Sequence, residues 1–422
     1  LSPAIPSRRR VVITGMGVVS PNGIGRKAYA DALRAGRSGI TAIDVFETTG
    51  LKSWAAGQIR DVDLTAVMEP AELRRVPRMV PLALMAAREA LDQARLNFAE
   101  NDLESRRRIG VILGTGGGGL SFAEEHYKRC FTGQAPSLYG ITAGTYGNLS
   151  SELSIALGLR GMSHVISTGC TSSTDAFGYA MTMIRAGQLP MFLVGGADAP
   201  ITREIVAGFE RMRVISTQRR ATPAETSRPF SADRDGFVLS EGAWMFVFED
   251  RDHAERRGAT ILAEVLGWGS TCDAYHRVQI APDVVEPVRA IELALADAAV
   301  DKAEVNYVNL HGTGTALNDR LETLAIKRVF GPTSGRIPMS STKSMIGHPQ
   351  GACGGAGLAA TVLMMSEGFI HPTINLENRD EACDLDYVAD GARETTIDTA
   401  LLNCIAFGSK NSALVVRRES LA

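Results

Sequence analysis

Cysteine is scarce in this chain, and so are aromatic residues and unbroken apolar runs. Six cysteines in 422 residues are too few for a disulfide scaffold, and none form a CxxC pair. Neither a stapled secreted fold nor a metal finger is therefore expected, and we read no metal site. The longest apolar stretches, such as Gly354–Met365, stop well short of the roughly eighteen residues a membrane span needs. Leu1–Arg10 carries Arg8, Arg9 and Arg10 with no apolar stretch behind them, so no secretory signal is expected and the reading is cytoplasmic. Charge of one sign is also missing. Lys and Arg number 44 against 47 Asp and Glu, a net −3, which gives no global attraction to nucleic acid or to a membrane surface.

What remains is ordinary globular material, 45% hydrophobic and 22% charged, long enough to bury a large core. Short β-branched runs alternate with longer helical patterns, which predicts α/β layers. Val11–Thr14, Ile109–Leu113, Met191–Val194, Met245–Phe248, Val305–Leu310 and Ala413–Val416 read as strands. Met79–Ala94, Thr171–Ala186, Val285–Ala298, Asp319–Val329 and Gly355–Ser366 read as helices. Ser216–Asp235, poor in apolar residues and rich in Arg, Ser, Thr and Pro, predicts a long surface loop. A new strand starts at Ile261 after the Arg-rich Asp250–Gly258, so the chain divides near residue 260 into 1–260 and 261–422.

Two glycine runs invite a nucleotide reading. In Val11–Gly17 a strand leads into Gly15-Met16-Gly17, but the third glycine of the dinucleotide pattern is Ser20, so a strand ending in a tight turn is the better reading. Gly114–Gly119 fits GxGxxG after a strand, yet no acidic residue follows at the required distance, and a pocket rim is favoured. No P-loop lysine signature occurs.

Cys170 stands in Ser167-Thr168-Gly169-Cys170-Thr171-Ser172-Ser173, between a strand-like run and a helix. Free N–H groups and the positive dipole end there favour thiolate, making a nucleophile and an oxyanion site; a small buried packing residue is the bland alternative. Cys130, Cys272, Cys353, Cys383 and Cys404 lack that setting and read as packing residues. His311, in His311-Gly312-Thr313-Gly314-Thr315, and His348, in Gly347-His348-Pro349-Gln350-Gly351, each lie among glycines ahead of a helix.

The set Cys170, His311 and His348, with Lys343 five residues before His348, resembles the β-ketoacyl synthases of the condensing-enzyme (thiolase-fold) superfamily. Val11–Gly17, Ser227-Arg228-Pro229-Phe230, Asp233–Phe237, Ser340–Ser344, Pro372–Leu376 and Phe407-Gly408 match in the same order. Ser167–Ser172, Asp198–Ile201 and Asn318–Thr323 look most like the ketosynthase α-subunit of bacterial type II polyketide synthases. The resemblance implies an α/β fold of five layers, αβαβα, built from two similar halves, the first carrying the cysteine and the second both histidines. It implies decarboxylative Claisen condensation of a malonyl group with an acyl chain held on Cys170. No cofactor is implied beyond the phosphopantetheine of an acyl carrier protein that delivers the substrates.

It further implies Lys343 as a supporting cation paired with Glu322, Phe407 and Gly408 in the oxyanion and gating loop, and Thr313 and Thr315 on the pantetheine. Arg74, Arg75 and Arg213 align with carrier-docking positions, and the partner would be a chain-length-factor-like subunit or a second copy. Elongation in fatty-acid synthesis, or a non-condensing decarboxylase or scaffold on the same fold, are the alternative readings. Two departures stand out. The family's Gly-Phe-Gly-Gly-Thr is here Ala406-Phe407-Gly408-Ser409-Lys410, which stiffens the loop, and Val278 replaces a hydroxyl residue expected near the pantetheine.

Overall fold

The computed structural model describes residues 8–98 and 102–419; residues 1–7, the start of the segment read for a secretory signal, lie outside them. Ten strands carry the architecture: β1 (Val11–Ser20), β2 (Ile109–Gly114), β3 (Ser163–Ile166), β4 (Met191–Asp198), β5 (Gly242–Asp250), β6 (Ala263–Cys272), β7 (Tyr307–Asn309), β8 (Met339–Ser340), β9 (Thr399–Ala406) and β10 (Lys410–Arg418). Eight helices position the site or its surroundings: α1 (Met79–Gln93), α2 (Leu120–Phe131), α3 (Leu149–Leu157), α4 (Ser172–Arg185), α5 (Arg203–Met212), α6 (Val285–Ala298), α7 (Ala316–Phe330) and α8 (Cys353–Glu367).

The strand order is β3-β2-β4-β5-β1 in one half and β8-β7-β9-β10-β6 in the other, the same pattern twice. In each half the first three strands run parallel and the last two are antiparallel. The halves join where Val11–Ile13 of β1 pairs with Ala263–Val265 of β6. Helices α4 and α8 pack on each other and on strands of both halves, while α1 and α3 cover one outer face and α6 and α7 the other. This is the five-layer αβαβα arrangement that the resemblance implies.

A helix between two sheets must be apolar or small on every face. The sequence of α4, SSTDAFGYAMTMIR, meets that demand with ten buried residues. At Gly178 an added Cβ would stand 2.0 Å from the Trp268 ring of β6, so the second half presses directly on this helix. Helix α8 is buried from Cys353 to Met365.

Two expectations are corrected. β1 does not end at Gly15-Met16-Gly17 but runs on to Ser20. Those glycines are present because α1 lies against the strand; a Cβ would meet the Ala90 carbonyl at 2.1 Å from Gly15 and the Ala86 carbonyl at 1.9 Å from Gly17. Nor is Ser216–Asp235 a surface loop throughout, since Thr226–Ser231 is buried. Arg228 and Arg234 are buried against partners. Arg228 meets Asp233 at 3.1 Å, and Arg234 meets Asp380 at 2.9 Å and Asp319 at 3.4 Å. Paired ions can be buried where solvated ones cannot.

Candidate active site

Cys170 occupies a 3₁₀ turn, Gly169–Thr171, that leads into α4. His311 follows β7, and His348 follows a short helix, Lys343–Ile346. The fold brings all three together. Sγ of Cys170 lies 3.1 Å from Nε2 of His348, and the two imidazole rings stand edge to face with centroids 5.4 Å apart. Each of the three residues is buried. They line a cavity of about 310 Å³ together with Phe407, Thr313 and Thr315.

Four consecutive backbone N–H groups hold the His311 loop. Those of His311 and Gly312 donate to Glu322 at 2.7 Å each, and those of Thr313 and Gly314 donate to Asp319 at 3.1 and 3.2 Å. Asp319 and Glu322 are three residues apart on α7 and therefore share one face. Asn403 of β9 adds a third donor to Glu322 at 2.6 Å. Burial pushes the Glu322 carboxyl up to about 7, against the pull of these donors. The His348 backbone is fixed by its N–H to the Val238 carbonyl, 2.7 Å, and by Ser240, whose N–H donates to its carbonyl at 3.1 Å.

Burial and the charge of Lys343 hold both histidines well below the ordinary imidazole range, with His348 adding to the effect on His311. Both rings are therefore neutral near neutral pH. Burial likewise pushes the Cys170 thiol up, helped by Cys353, while Lys343 and the N–H of Phe407 pull it down. The helix end thus does not produce a resting thiolate, as its dipole alone predicts. Taking Cys170 out of water outweighs it.

Glu322 and Lys343, expected as an ion pair, do not meet within ion-pair distance. Glu322 is committed to the His311 loop, Asn403 and Asn318, and no ion pair joins it to Lys343 among the described residues. The Lys343 charge nevertheless bears on Cys170 and on both imidazoles. Arg213, at the end of α5, lines the cavity mouth. Arg74 and Arg75 line a separate groove of about 900 Å³. There Arg75 pairs with Glu72 and lies 5.1 Å over the Tyr139 ring.

In the altered loop, Ser409 adopts φ +65° and its hydroxyl ties down the segment before Val278. It accepts from the N–H groups of Tyr275 and His276 at 3.3 and 3.1 Å and donates to the His276 carbonyl at 2.8 Å. The Gly408 N–H bonds the Arg277 carbonyl at 2.8 Å. Val278 lines the cavity, where it offers no hydroxyl.

The glycine run after β2 is spoken for by Asp198, a fully buried carboxylate at the end of β4. It accepts from Gly116, Gly117 and Gly351 N–H at 2.8 Å each and from the Thr115 hydroxyl at 2.7 Å. A carboxylate of the chain thus takes the place a phosphate would need.

Cys353 and Cys404, read as packing residues, do pack in the core, but sequence reasoning did not place them beside Cys170. Both sulfurs lie 3.1 Å from the Cys170 carbonyl, to which they donate, and Cys404 Sγ is 3.5 Å from Nδ1 of His311. Nothing local could have shown this, because the three residues come from different elements.

Residues 8–254 match the family "Beta-ketoacyl synthase, N-terminal domain", and 262–377 match its C-terminal domain. The chain belongs to the β-ketoacyl synthase family. It is 39% identical over 420 residues to the "Tetracenomycin polyketide synthase ketoacyl synthase alpha subunit" of Streptomyces glaucescens, covering 98% of each chain. It is 38% identical over 413 residues to "3-oxoacyl-[acyl-carrier-protein] synthase 2" of Coxiella burnetii, covering 97% of this chain and 99% of the relative. Among solved structures it superposes with TM-score 0.89 on one chain of a complex described as a "type II PKS acyl-carrier protein in complex with its ketosynthase bound to the hexaketide". The identity is 33%, and the match covers 98% of this chain and 100% of that one. The ishigamide ketosynthase/chain length factor gives TM-score 0.89 at 34% identity, with the same two coverages. The thiolase-like architecture expected from the sequence is the fold of this chain.

Proposed function

We propose that this condensing enzyme elongates chains in a type II polyketide assembly, joining a malonyl unit to an acyl chain carried on Cys170. The observation that carries the site assignment is the 3.1 Å approach of the Cys170 sulfur to His348, with His311 alongside in one buried cavity. Residues 1–260 then supply the nucleophile and 261–422 the imidazoles.

In the first step the Cys170 sulfur attacks the carrier's acyl thioester. The thiol proton passes to the departing pantetheine sulfur, and the acyl group stays on Cys170. His348 Nε2 is within reach of that proton. The N–H groups of Cys170 and Phe407 are the donors for the oxyanion. In the second step malonyl loses CO2, and the carbanion left behind attacks the acyl-cysteine, expelling the Cys170 sulfur, which takes a proton from solvent to return to the thiol. Charge gathers on the malonyl thioester oxygen, which calls for neutral donors, and two uncharged imidazoles meet that need. Thr313 and Thr315, whose hydroxyls lie 2.9 Å apart, stand on the cavity wall where pantetheine would enter. Pantetheine arrives with its carrier, so the chain needs no resident cofactor for these steps.

An acidic acyl carrier protein is the substrate partner, with Arg213 at the mouth as its first contact. Arg74 and Arg75 serve a carrier approach only if it spans both openings. A second subunit, chain-length-factor-like or another copy, suits the apolar side chains exposed on one stretch of chain: Phe131, Leu138, Ile141 and Ile155. Nearby β3 pairs only with β2 among the described residues and leaves its other edge open. No described helix is long and apolar enough to cross a membrane.

Fatty-acid elongation is the second reading, favoured by the near-equal identity to the Coxiella burnetii relative. Incubation with acyl- and malonyl-carriers, read by intact mass, tests the proposal. An acyl adduct on Cys170 followed by a β-ketoacyl product is expected. CO2 release with no condensation, or no adduct at all, would reject it. Pairing the chain with its candidate partner subunit then separates the pathways by product: a poly-β-keto chain supports the polyketide reading, a single round of extension the other.

A further inference from the structure

Two buried thiols have no part in the steps above. Cys353 opens α8 and Cys404 sits in β9, each only 3% exposed. Their sulfurs are 3.5 Å apart, and Cys404 Sγ is 3.5 Å from His311 Nδ1. The two sulfurs and the nearer His311 nitrogen all lie within 4.8 Å of one another. Tetrahedral zinc has bonds of about 2.3 Å to sulfur and about 2.0 Å to imidazole nitrogen, which puts sulfurs about 3.8 Å apart and sulfur and nitrogen about 3.5 Å apart. Two of the three edges, both at Cys404, are already close to these spacings, and the third, from Cys353 to His311, lies within 4.8 Å. The Cys170 carbonyl oxygen, 3.1 Å from each sulfur, faces the same space and offers a fourth donor.

We propose that Cys353, Cys404 and His311 form a binding site for one soft divalent ion with a filled d shell, zinc(II) by preference. Two thiolates and an imidazole match the ligand preference of such ions, and a hard ion such as magnesium is excluded by the same donors. On binding, each S–H loses its proton to solvent and forms a sulfur–metal bond, while Nδ1 of His311 gives its lone pair. No electron changes hands, and two thiolates cancel the charge of the ion. The two S–H donors are then gone from the Cys170 carbonyl, and the His311 ring is fixed through Nδ1. The site shares His311 with the condensing centre, so an ion held there adjoins that centre and bears on it.

The neighbouring set Cys170, His311 and His348 also brings its ligand atoms within 4.8 Å and is the rival for the ion. It offers one sulfur where the proposed site offers two. The exposed thiols Cys130 and Cys272 are removed first by substitution to serine. The reduced full-length chain is then titrated with cadmium(II), reading the thiolate-to-metal charge-transfer band and proton release. One equivalent is expected to bind, releasing about two protons. Cys353→Ala and Cys404→Ser should each weaken binding by more than about tenfold, whereas Cys170→Ala should keep it. X-ray absorption on the zinc-loaded chain, which needs no substitution of the ligands, should show two sulfurs in the metal shell. Unchanged affinity in Cys353→Ala and Cys404→Ser, loss of the ion in Cys170→Ala, or a shell with fewer than two sulfurs would each overturn the proposal.

Discussion

The second strand of each half ends in a glycine-rich loop, and the two loops are held by the same chemistry to different ends. After β2, the N–H groups of Gly116 and Gly117 close on Asp198. After β7, those of His311, Gly312, Thr313 and Gly314 close on Glu322 and Asp319. In both places glycine lets backbone amides converge on an anion, and the chain supplies the anion itself. The first loop presents no reactive side chain, and the Asp198 that holds it also accepts from the Gly351 N–H, on the other half. The second presents His311 to the cavity. One scaffold thus serves once as a clamp and once as a mount, and which it becomes depends on a single imidazole.

The largest effect that can break this contrast is at the mount. His311→Ala removes the proposed donor without touching the four anchoring N–H groups. Condensation should fall about a hundred- to a thousandfold, with thermal stability little changed. A variant that keeps most of its activity would show that the loop is a clamp as well. His348→Ala should fall by a similar factor and also lose the partner of the Cys170 sulfur, so acyl loading measured by mass should slow with it.

Anchor variants come next. Glu322→Gln leaves one acceptor oxygen where both carboxylate oxygens now receive an N–H, so the His311 backbone shifts. The expected loss in kcat is about ten- to hundredfold. Asp198→Asn strands at least one of its four donors, at a cost of about 1–3 kcal/mol in denaturant unfolding, with the smaller change in kcat. Equal losses of kcat in the two variants would erase the distinction between the loops.

How much of this was legible beforehand follows from which atoms each feature uses. Cys170, His311 and His348 announce themselves because each stands in a local run of small residues that the chemistry requires. The α/β layering was legible for a related reason, since β-branched runs and small-residue helices describe burial directly, whereas the five-layer arrangement came from the resemblance. The Glu322–Lys343 pair was misread because an ion pair is a distance, and α7 spends Glu322 on backbone amides instead. Gly15-Met16-Gly17 reads as a tight turn because glycine suits either a turn or the close approach of a helix, and the residues cannot say which. The buried stretch Thr226–Ser231 looked solvated because paired and hydrated arginines have the same composition. Cys353 and Cys404 meet only through the closure of α8 against β9, so no spacing rule could join them.

The smallest expected effect separates two buried carboxylates by pH. Asp198 is surrounded by neutral donors, and its burial raises its pKa above 3.8 in spite of them. Asp380 loses water too, but the N–H of Ala382 and the guanidinium groups of Arg320 and Arg234 bring it down to about 2. The signs are opposite. Above 3.8 the folded chain holds a proton on Asp198 more tightly than the unfolded chain does, so Asp198 makes stability fall as pH rises from 3.8 through its raised value. Between about 2 and 3.8 the unfolded chain holds the Asp380 proton more tightly, so Asp380 makes stability rise with pH over that window. Urea unfolding of Asp198→Asn should therefore show a shallower decline above 3.8. Asp380→Asn should lose most stability at neutral pH, and the deficit should shrink as pH falls toward 2. If both substitutions altered the same window in the same direction, amides and guanidinium groups would be interchangeable as partners for a buried carboxylate, and the clamp on the first loop would be electrostatically no different from the ion pairs beneath Thr226–Ser231.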